Sequence, residues 1–578
     1  MKRIFRSELG RTALAAVAVA LFLIAATFVQ DIGYMTNDDN AIAFALAGYE
    51  TGSPYPYAMF ISFLLGAFVS GLYSAFPSVA WWGVLQIVGL AVSGVILLRC
   101  VLKTGEESDC PVLLRLSVCG MLLLSVLLNS EIELTYTVTA AVIGASGVAL
   151  LLTAGQTKKR GVRIAEDAVA FVQVVIAFLI REETGFAVLC FVFLAVLYRV
   201  FACRFEKTEA RGNIAGNLRS VGAAFVAVLV LIGGAFLWNN HMKVAVNGEE
   251  YMAFFAARER FTDYPRDTFE QNPTLYEQAG WTENVYRLAD DWCFLDERID
   301  TESLTRITEN SVHTGEPSLG GAVRMLAEAF DEAVPDRLLF VGFLLLVFAA
   351  GVSFALNGHR GGAELVTMLL AVLGGAVLCV YLNLTGRAPM RALRAVLIPM
   401  TAVIAVLFCR VPIPEAGKKY RRFALGTAVL AVASTVLGGA LSARELHNSG
   451  ARWQNERCHA LYAYASEHRE NVYLRDAYSY SDQDVFTTYS DADAPINLIS
   501  WGGCGMRSEA YRRHLAVNGV DPDDAAFFLG DNVYFVAAPW RDDLRQLFER
   551  YLIEEHGAKG LEEADTIPDV ATIYRVVK

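Results

Sequence analysis

Two adjacent carboxylates, Asp38 and Asp39, follow the first apolar segment of the chain, in the stretch GYMTNDDNAIAFALAGYETGSPYPYA (33–58). A carboxylate beside a membrane can accept the proton of an acceptor hydroxyl or hold a divalent cation against a phosphate. The same residues fit a structural role, because one of them, or Asn37 before them, can cap a helix that begins near Asn40 and ends at Gly48. Both interpretations stay open, since the start of a helix would also fix the carboxylates in place.

Arginines near the predicted outer face of the membrane form a second group. Arg387, Arg391 and Arg394 follow an apolar block in the stretch NLTGRAPMRALR. An arginine at an outer boundary runs against the usual distribution of positive charge, and a phosphate is one reason for it, because a guanidinium binds phosphate oxygens in pairs. Two structural explanations stay open: an ion pair with an acidic residue of 240–336, or contact with ordinary lipid phosphates.

A third group lies at a short turn between two apolar blocks, where Arg181, Glu182 and Glu183 are adjacent. Chance alone could place charges at a turn. If the turn is buried among helices, however, Arg181 needs a partner and can help to form a polar cavity.

The fourth group is Arg258, Asp263 and Tyr264, in the stretch ARERFTDYP. The apolar residues around it have helical spacing, and their common side excludes Arg258. A solvated helix surface therefore explains this group as well as a functional site does.

The composition indicates an integral membrane protein. The chain has 578 residues, of which 54% are hydrophobic and only 19% are charged. Its apolar residues come in blocks long enough to cross the hydrocarbon layer of a bilayer, which is about 30 Å thick. The candidate blocks are 11–29, 57–76, 80–102, 111–129, 136–154, 166–181, 185–203, 220–238, 337–356, 363–383, 391–409 and 423–441.

The distribution of charge predicts the topology. The stretch 240–336 has 8 Lys and Arg against 20 Asp and Glu, and the stretch 442–578 has 14 against 23. Basic residues gather instead in short loops, which the positive-inside rule assigns to the cytoplasm. We therefore expect a multi-pass plasma-membrane protein with a cytoplasmic N-terminus, and with both acidic stretches outside. The basic N-terminal segment lacks a convincing cleavage site, so the first span is expected to be retained.

One inconsistency concerns the number of crossings. An inside N-terminus and an outside C-terminus require an odd number, whereas twelve blocks are candidates. From residue 111 onward the loop charges alternate correctly, so either 57–76 or 80–102 is re-entrant or interfacial, or another span exists there. In each case the first loop, 31–56, is outside.

The expected fold class is a polytopic α-helical membrane protein with 11–13 transmembrane helices. We expect a transmembrane module over 1–239, a mainly helical extracytoplasmic insert over 240–336, a second transmembrane module over 337–441 and a small extracytoplasmic α/β domain over 442–578. In the last part, strand-like runs at 471–477, 496–501, 532–538 and 572–578 alternate with helix-like runs around 453–468, 506–518 and 541–555. The sequence leaves open whether Cys458 and Cys504 form a disulfide.

Several common motifs are absent from the sequence. There is no GxxxxGK[ST] phosphate loop, no HExxH and no CxxC pair. ATP hydrolysis and structural zinc therefore have no local support in the sequence. Nothing in the chain suggests a nucleic acid as a partner.

The arrangement resembles the multi-spanning bacterial glycosyltransferases of the C-type (GT-C) fold, which use polyprenyl-phosphate-linked sugars as donors. The resemblance covers the order of spans, acidic first loop and terminal outer domain. It is also local: TNDDNAIAFALAGYETGSP, GLYSAFPSVAWW, RERFTDYP, GWTENVYRL and LTGRAPMR are similar to stretches of uncharacterised members of that group.

The resemblance implies hexosyl or pentosyl transfer to an envelope glycan, lipid or protein on the outer side of the membrane. In such enzymes the acidic residue of the first outer loop is a catalytic base or metal ligand, which corresponds to Asp38 or Asp39. Outer arginines hold the donor phosphate, which corresponds best to Arg387 and Arg391. Glu131 and Glu133 are the candidates for a second acidic loop, and a divalent cation is left open as a cofactor.

Two rival functions stay open. A transporter or flippase of lipid-linked precursors would show charged or broken helices near the bilayer midplane and symmetry between its halves. The sequence has no such symmetry, and its polar residues cluster at the outer boundary. A non-catalytic scaffold would not explain the acidic pair or the arginines at the membrane boundary.

Overall fold

The structure is a computed structural model of the whole chain. It describes residues 7–107, 110–155, 157, 159–205, 211–312, 318–356, 360–386, 388–411, 418–448 and 451–578. The chain divides into two compact units. The helical unit comprises 1–32, 85–237 and 317–449, and the mixed unit comprises 33–84, 238–316 and 450–578.

The helical unit is built from α-helices, most of which are long and apolar. They are α1 (Glu8–Ala26), α4 (Trp81–Glu107), α5 (Val112–Leu122), α6 (Leu128–Ile132), α7 (Tyr136–Ala154), α8 (Arg160–Ile180), α9 (Glu182–Phe205), α10 (Arg211–Asp263), α14 (Leu319–Glu332), α15 (Val334–Leu356), α16 (Gly362–Leu384), α17 (Met390–Phe408) and α18 (Lys418–His447). A π-helical segment, Leu123–Leu127, joins α5 to α6. The first turn of α4 and the last part of α10 belong to the mixed unit.

Helix α7 is the centre of the helical unit, because every one of its residues is buried. It is apolar all round and rich in small residues, as expected of a helix enclosed by others. At Gly147 an added Cβ would lie 2.6 Å from the carbonyl oxygen of Ala170, and at Gly144 it would lie 2.6 Å from Val188. These glycines allow α8 and α9 to approach α7 closely.

Ten helices in the described part of the chain are long and apolar enough to cross a membrane. Helix α8 has 21 residues but begins with charged residues, and only its second part is strongly apolar. The predicted polytopic α-helical class, with a C-terminal domain that contains a sheet, is confirmed.

Block 57–76 forms a helix too short to cross. Helix α3 (Phe63–Ala75) has 13 residues, or about 20 Å at 1.5 Å per residue, against about 30 Å of hydrocarbon. Block 80–102 lies within α4, which has 27 residues. Of the two blocks in question, 57–76 is therefore the one that is too short to cross.

The mixed unit combines short helices with a sheet. Its helices are α2 (Asn37–Ala47), α3, α11 (Pro273–Gln278), α12 (Glu283–Asp290), α13 (Thr301–Asn310), α19 (Ala451–Glu467), α20 (Glu509–Val517) and α21 (Asp542–His556). Its strands are β1 (Gly33–Tyr34), β3 (Val472–Arg475), β4 (Leu498–Ser500), β5 (Val533–Ala537), β6 (Gly560–Ile567) and β7 (Ala571–Val577); a further short strand, β2 (Glu133–Leu134), belongs to the helical unit.

The five-stranded sheet has the order β4-β3-β5-β7-β6. Strand β3 is parallel to both β4 and β5, whereas β7 is antiparallel to β5 and β6. Four strands fall within the predicted runs, apart from one residue of β7. The sequence analysis missed β6, whose residues GLEEADTI include three acidic side chains and are mostly exposed. These charges suit an edge strand, because they discourage pairing with another chain.

A buried polar contact stabilises the core of the mixed unit. Asp482 is buried, accepts a hydrogen bond from the Tyr489 hydroxyl at 3.0 Å and lies 3.2 Å from the Nε2 atom of His459. The hydrogen bond to Asp482 raises the pKa of His459, although burial opposes this change. Protonated His459 therefore stabilises the folded state.

We expect His459→Gln to reduce stability more at pH 5.5 than at pH 8.5. Because the folded-state pKa of His459 is raised, its contribution is fully present below the unfolded value, which is about 6.5, and disappears as the pH rises through the folded value. The measurement is the difference in Tm between wild type and variant at the two pH values. An equal difference at both would contradict the assignment.

Candidate functional site

Helix α2 positions the acidic pair. It begins at Asn37 after Thr36, whose extended backbone makes it the cap residue. The Thr36 hydroxyl donates to Oδ2 of Asp39 at 2.9 Å. The prediction that Asn37, Asp38 or Asp39 is itself the cap is therefore wrong, because all three lie in the first turn. There the partial positive charge of the helix start favours both carboxylates. The predicted end at Gly48 is confirmed by its φ of 83°.

We expect Gly48→Ala to destabilise the protein by more than about 1 kcal/mol, because alanine is strained at positive φ. An added Cβ would also lie 2.1 Å from the carbonyl carbon of Ser53 and 2.4 Å from the nitrogen of Pro54. Thermal unfolding measures the effect. Gly71→Ala is the matched control, since its Cβ would meet nothing within 4 Å. Equal Tm values for both variants would contradict this account.

The two carboxylates differ in exposure. Asp39 has 0% of its surface exposed, whereas Asp38 is half-buried. Only Asp38 can therefore reach a substrate without rearrangement of the helix. Asp39 accepts the hydrogen bond of the Thr36 hydroxyl and thereby helps to hold the start of α2 in place.

Asp38 and Asp263 lie close enough to Tyr478 and Cys504 for their charges to act on both. Burial raises the pKa of Tyr478, and the negative charges of Asp263 and Asp38 raise it further. Burial also raises the pKa of Cys504, with smaller upward contributions from the same two aspartates. Tyr478 therefore stays a hydroxyl donor at neutral pH, and 46% of its surface is exposed. Tyr264 follows Asp263 directly at the end of α10 and is half-buried.

Arg258 is buried beside this group. Only 2% of its surface is exposed. Its guanidinium lies 4.8 Å from the ring centre of Phe255 and 5.3 Å from that of Trp292, and its Nη1 atom is 3.6 Å from the Cys504 sulfur. The interpretation of Arg258 as part of a solvated helix surface is therefore wrong. Its Nε atom has no hydrogen-bond partner in the described part of the chain.

Sequence reasoning missed Tyr478 and Cys504. Tyr478 follows the end of β3, and Cys504 follows the end of the neighbouring parallel strand β4. Loops at the carboxyl ends of parallel strands are the usual place for ligand sites, above all where the strand order reverses. The order β4-β3-β5 is such a reversal. The ends of the predicted strand runs 471–477 and 496–501 could therefore have indicated this site.

The disulfide between Cys458 and Cys504 is not formed, since both thiols are free. Cys458 is buried in a hydrophobic cluster with Tyr462 and Phe44. Cys504 contacts Arg258 instead. The two cysteines thus belong to different parts of the mixed unit.

In the helical unit the structure brings Arg394 and Glu133 near each other. Arg394 forms a bidentate ion pair with Asp336, in which both hydrogen bonds are 2.9 Å long. Asp336 lies in the stretch 240–336, so this is the pairing that the sequence left open. Burial raises the pKa of half-buried Glu133, Arg394 lowers it, and Asp336 and Glu445 raise it.

The other predicted residues of the helical unit lie at several places. Arg181 pairs with Glu183 at 2.8 Å and lies 5.3 Å from the ring centre of Tyr136. Glu182 is buried in the first turn of α9.

Arg391 is half-buried at the start of α17. Glu131 belongs to α6, but its side chain is outside the described part of the structure. Arg387 lies outside the described residues altogether.

Among the described residues, no group of three or more His, Cys, Asp or Glu side chains could hold a metal ion.

Comparison with known proteins gives two weak structural similarities. No family model and no curated protein matches the chain. The structure of ArnT from Cupriavidus metallidurans bound to undecaprenyl phosphate is 13% identical, with a TM-score of 0.37 and coverage of 98% of both chains. The apo structure of the same protein is 15% identical, with a TM-score of 0.38 and coverage of 97% of both chains. The functional assignment therefore depends on the residues of this chain.

Proposed function

We propose that this membrane protein transfers a sugar from a polyprenyl-phosphate donor to an acceptor hydroxyl. The observation that carries the proposal is the position of Asp38, a half-buried carboxylate fixed in the first turn of α2. Its charge and that of Asp263 act on Tyr478, which follows the carboxyl end of the parallel strand β3. A membrane-embedded donor also suits a chain with ten helices, in its described part, able to cross a bilayer.

Asp38 is the catalytic residue in this proposal. It accepts the proton of the acceptor hydroxyl as that oxygen forms a bond to the anomeric carbon of the donor sugar. The bond between the anomeric carbon and the phosphate oxygen breaks, and the electron pair leaves with polyprenyl phosphate. Sugar, proton and lipid phosphate are then all accounted for, and no nucleotide or redox partner is needed.

Two side chains of the mixed unit support the charge changes of this step. The Tyr478 hydroxyl remains protonated and half-exposed, so it can donate a hydrogen bond to a sugar or phosphate oxygen. The buried positive charge of Arg258 makes the local potential more favourable for an anion. The roles of Arg387, Arg391, Arg394 and Arg181 as phosphate ligands stay predictions about the helical unit.

We also propose that the mixed unit lies outside the cytoplasm. The ten helices that meet the criteria for crossing, together with α8, make eleven in the described part of the chain. An odd number places the termini on opposite sides, which agrees with the basic short loops and the acidic polar stretches.

The experiment that tests the proposal separates transfer from transport. Purified protein in liposomes is given a polyprenyl-phosphate sugar labelled in both its sugar and its lipid. A transferase separates the two labels in the presence of envelope acceptors, and the lipid label is recovered as polyprenyl phosphate. A flippase would move the intact molecule between leaflets, and that result would replace the proposal by the rival function.

A further inference from the structure

Two tryptophans form an exposed patch in the mixed unit. Trp453 on α19 has 53% of its surface exposed, and Trp540, after β5, has 41%. Their ring centres are 5.7 Å apart. Indole side chains are usually covered in a soluble domain, since burial of their large apolar area is favourable. The fold thus brings two uncovered indoles together from distant parts of the sequence.

Arg457 fixes the geometry of this patch. Its guanidinium carbon lies 3.2 Å from the ring centre of Trp453 and 4.5 Å from that of Trp540. Its Nη1 atom is buried and has no hydrogen-bond partner in the described part of the chain. A guanidinium stacked on two rings holds both in place, so the patch is pre-organised before any ligand arrives.

The patch is continuous with the candidate site. Arg541, next to Trp540, pairs with Asp291 at 2.7 Å. Trp292, the residue after Asp291, has its ring centre 6.1 Å from that of Tyr478. Arg541, Asp291 and Trp292 therefore connect Trp540 to Tyr478 of the candidate site. Trp540 also follows β5, which runs parallel to β3, so it lies at the same edge of the sheet as Tyr478.

We infer that the Trp453 and Trp540 patch binds the saccharide part of the acceptor. Pyranose rings have flat faces of C–H groups that bury well against indole, and hydroxyls that bind charged side chains such as the Arg541 and Asp291 pair. Sites for small molecules likewise combine aromatic side chains with a few polar groups. The inference rests on the proposed function, and it narrows the acceptor to a glycan or a glycolipid.

Fluorescence quenching tests the inference on full-length protein in nanodiscs. The difference between wild type and Trp453→Phe, or Trp540→Phe, isolates the emission of each indole. The probes are hexasaccharides of glucose, mannose, galactose and N-acetylglucosamine, each added free or attached to a lipid. We expect at least one of them to reduce acrylamide quenching of both indoles. Buried Trp501, examined with Trp501→Phe, should be unaffected.

The two forms of the probe distinguish the source of the saccharide. Protection by the free sugar indicates a soluble glycan, whereas protection by the lipid-linked form alone indicates a glycolipid. Strong quenching by nitroxide-labelled lipids without any sugar would show that the patch faces the membrane, and it would overturn the inference. Absence of protection by every probe would also overturn it.

A kinetic readout separates this inference from the proposed function. The double variant Trp453→Ala/Trp540→Ala should raise the acceptor KM several-fold relative to the donor KM, because the patch contacts only the acceptor. If wild type releases polyprenyl phosphate but the double variant has the same acceptor KM, only the saccharide site is wrong. If sugars protect the indoles but wild type never releases polyprenyl phosphate, the saccharide site stands and the proposed function fails.

Discussion

Asp38→Asn is expected to lower the rate of sugar transfer by about 10²- to 10⁴-fold, the usual contribution of a general base. The amide has nearly the same shape as the carboxylate but cannot accept the proton of the acceptor hydroxyl. Because Asp38 is half-buried in the first turn of α2, the change should leave the fold intact. The measurement is kcat for polyprenyl phosphate release, together with Tm.

Two control variants make this result specific. Asp491→Asn alters an exposed carboxylate of the same unit and should leave kcat unchanged. Asp39→Asn alters the buried member of the pair, so it should lower Tm as well as activity. If Asp38→Asn loses activity and its Tm falls as far as that of Asp39→Asn, Asp38 only supports the helix.

Arg394→Met is expected to destabilise the protein by about 3 kcal/mol, because it leaves Asp336 partly buried without its partner. The double variant Arg394→Met/Asp336→Leu should recover most of this loss, since both charges are then removed. Reversible unfolding in mixed micelles measures the effect. Equal instability of the single and double variants would contradict a structural ion pair.

The exchanged variant Arg394→Asp/Asp336→Arg separates structure from donor binding. If the arginine only forms the pair, this variant should keep wild-type KM for the donor when it folds. If the donor phosphate binds Arg394, KM should rise even where stability is restored. The second outcome would return Arg394 to the phosphate-binding role that the sequence predicts.

Local patterns predicted much of the fold. Ten of the twelve apolar blocks correspond to helices of the described part that are able to cross a membrane, and strand-like runs located four of the five strands of the sheet. The predicted end of the short helix α2 at Gly48 was correct, because glycine readily adopts the left-handed conformation that ends a helix. Strand β6 was missed because edge strands with exposed acidic side chains lack the alternation that marks a half-buried strand.

The candidate site was harder to predict, because it depends on contacts between distant segments. Arg258 has the sequence context of a surface residue, yet Trp292 and Cys504 cover it. Tyr478 carries no motif of its own, and its place follows only from the order of the parallel strands. Asp38 was a candidate from the sequence because the acidic loop is short, local and close to a predicted span.

The most direct test of the account is the release of polyprenyl phosphate by wild type and by Asp38→Asn, compared in the same nanodiscs with the same donor. We expect wild type to release one polyprenyl phosphate for each sugar transferred, and Asp38→Asn, with a Tm close to that of wild type, to lose nearly all of this release. Equal release by both proteins, or an intact donor with wild type, would contradict it.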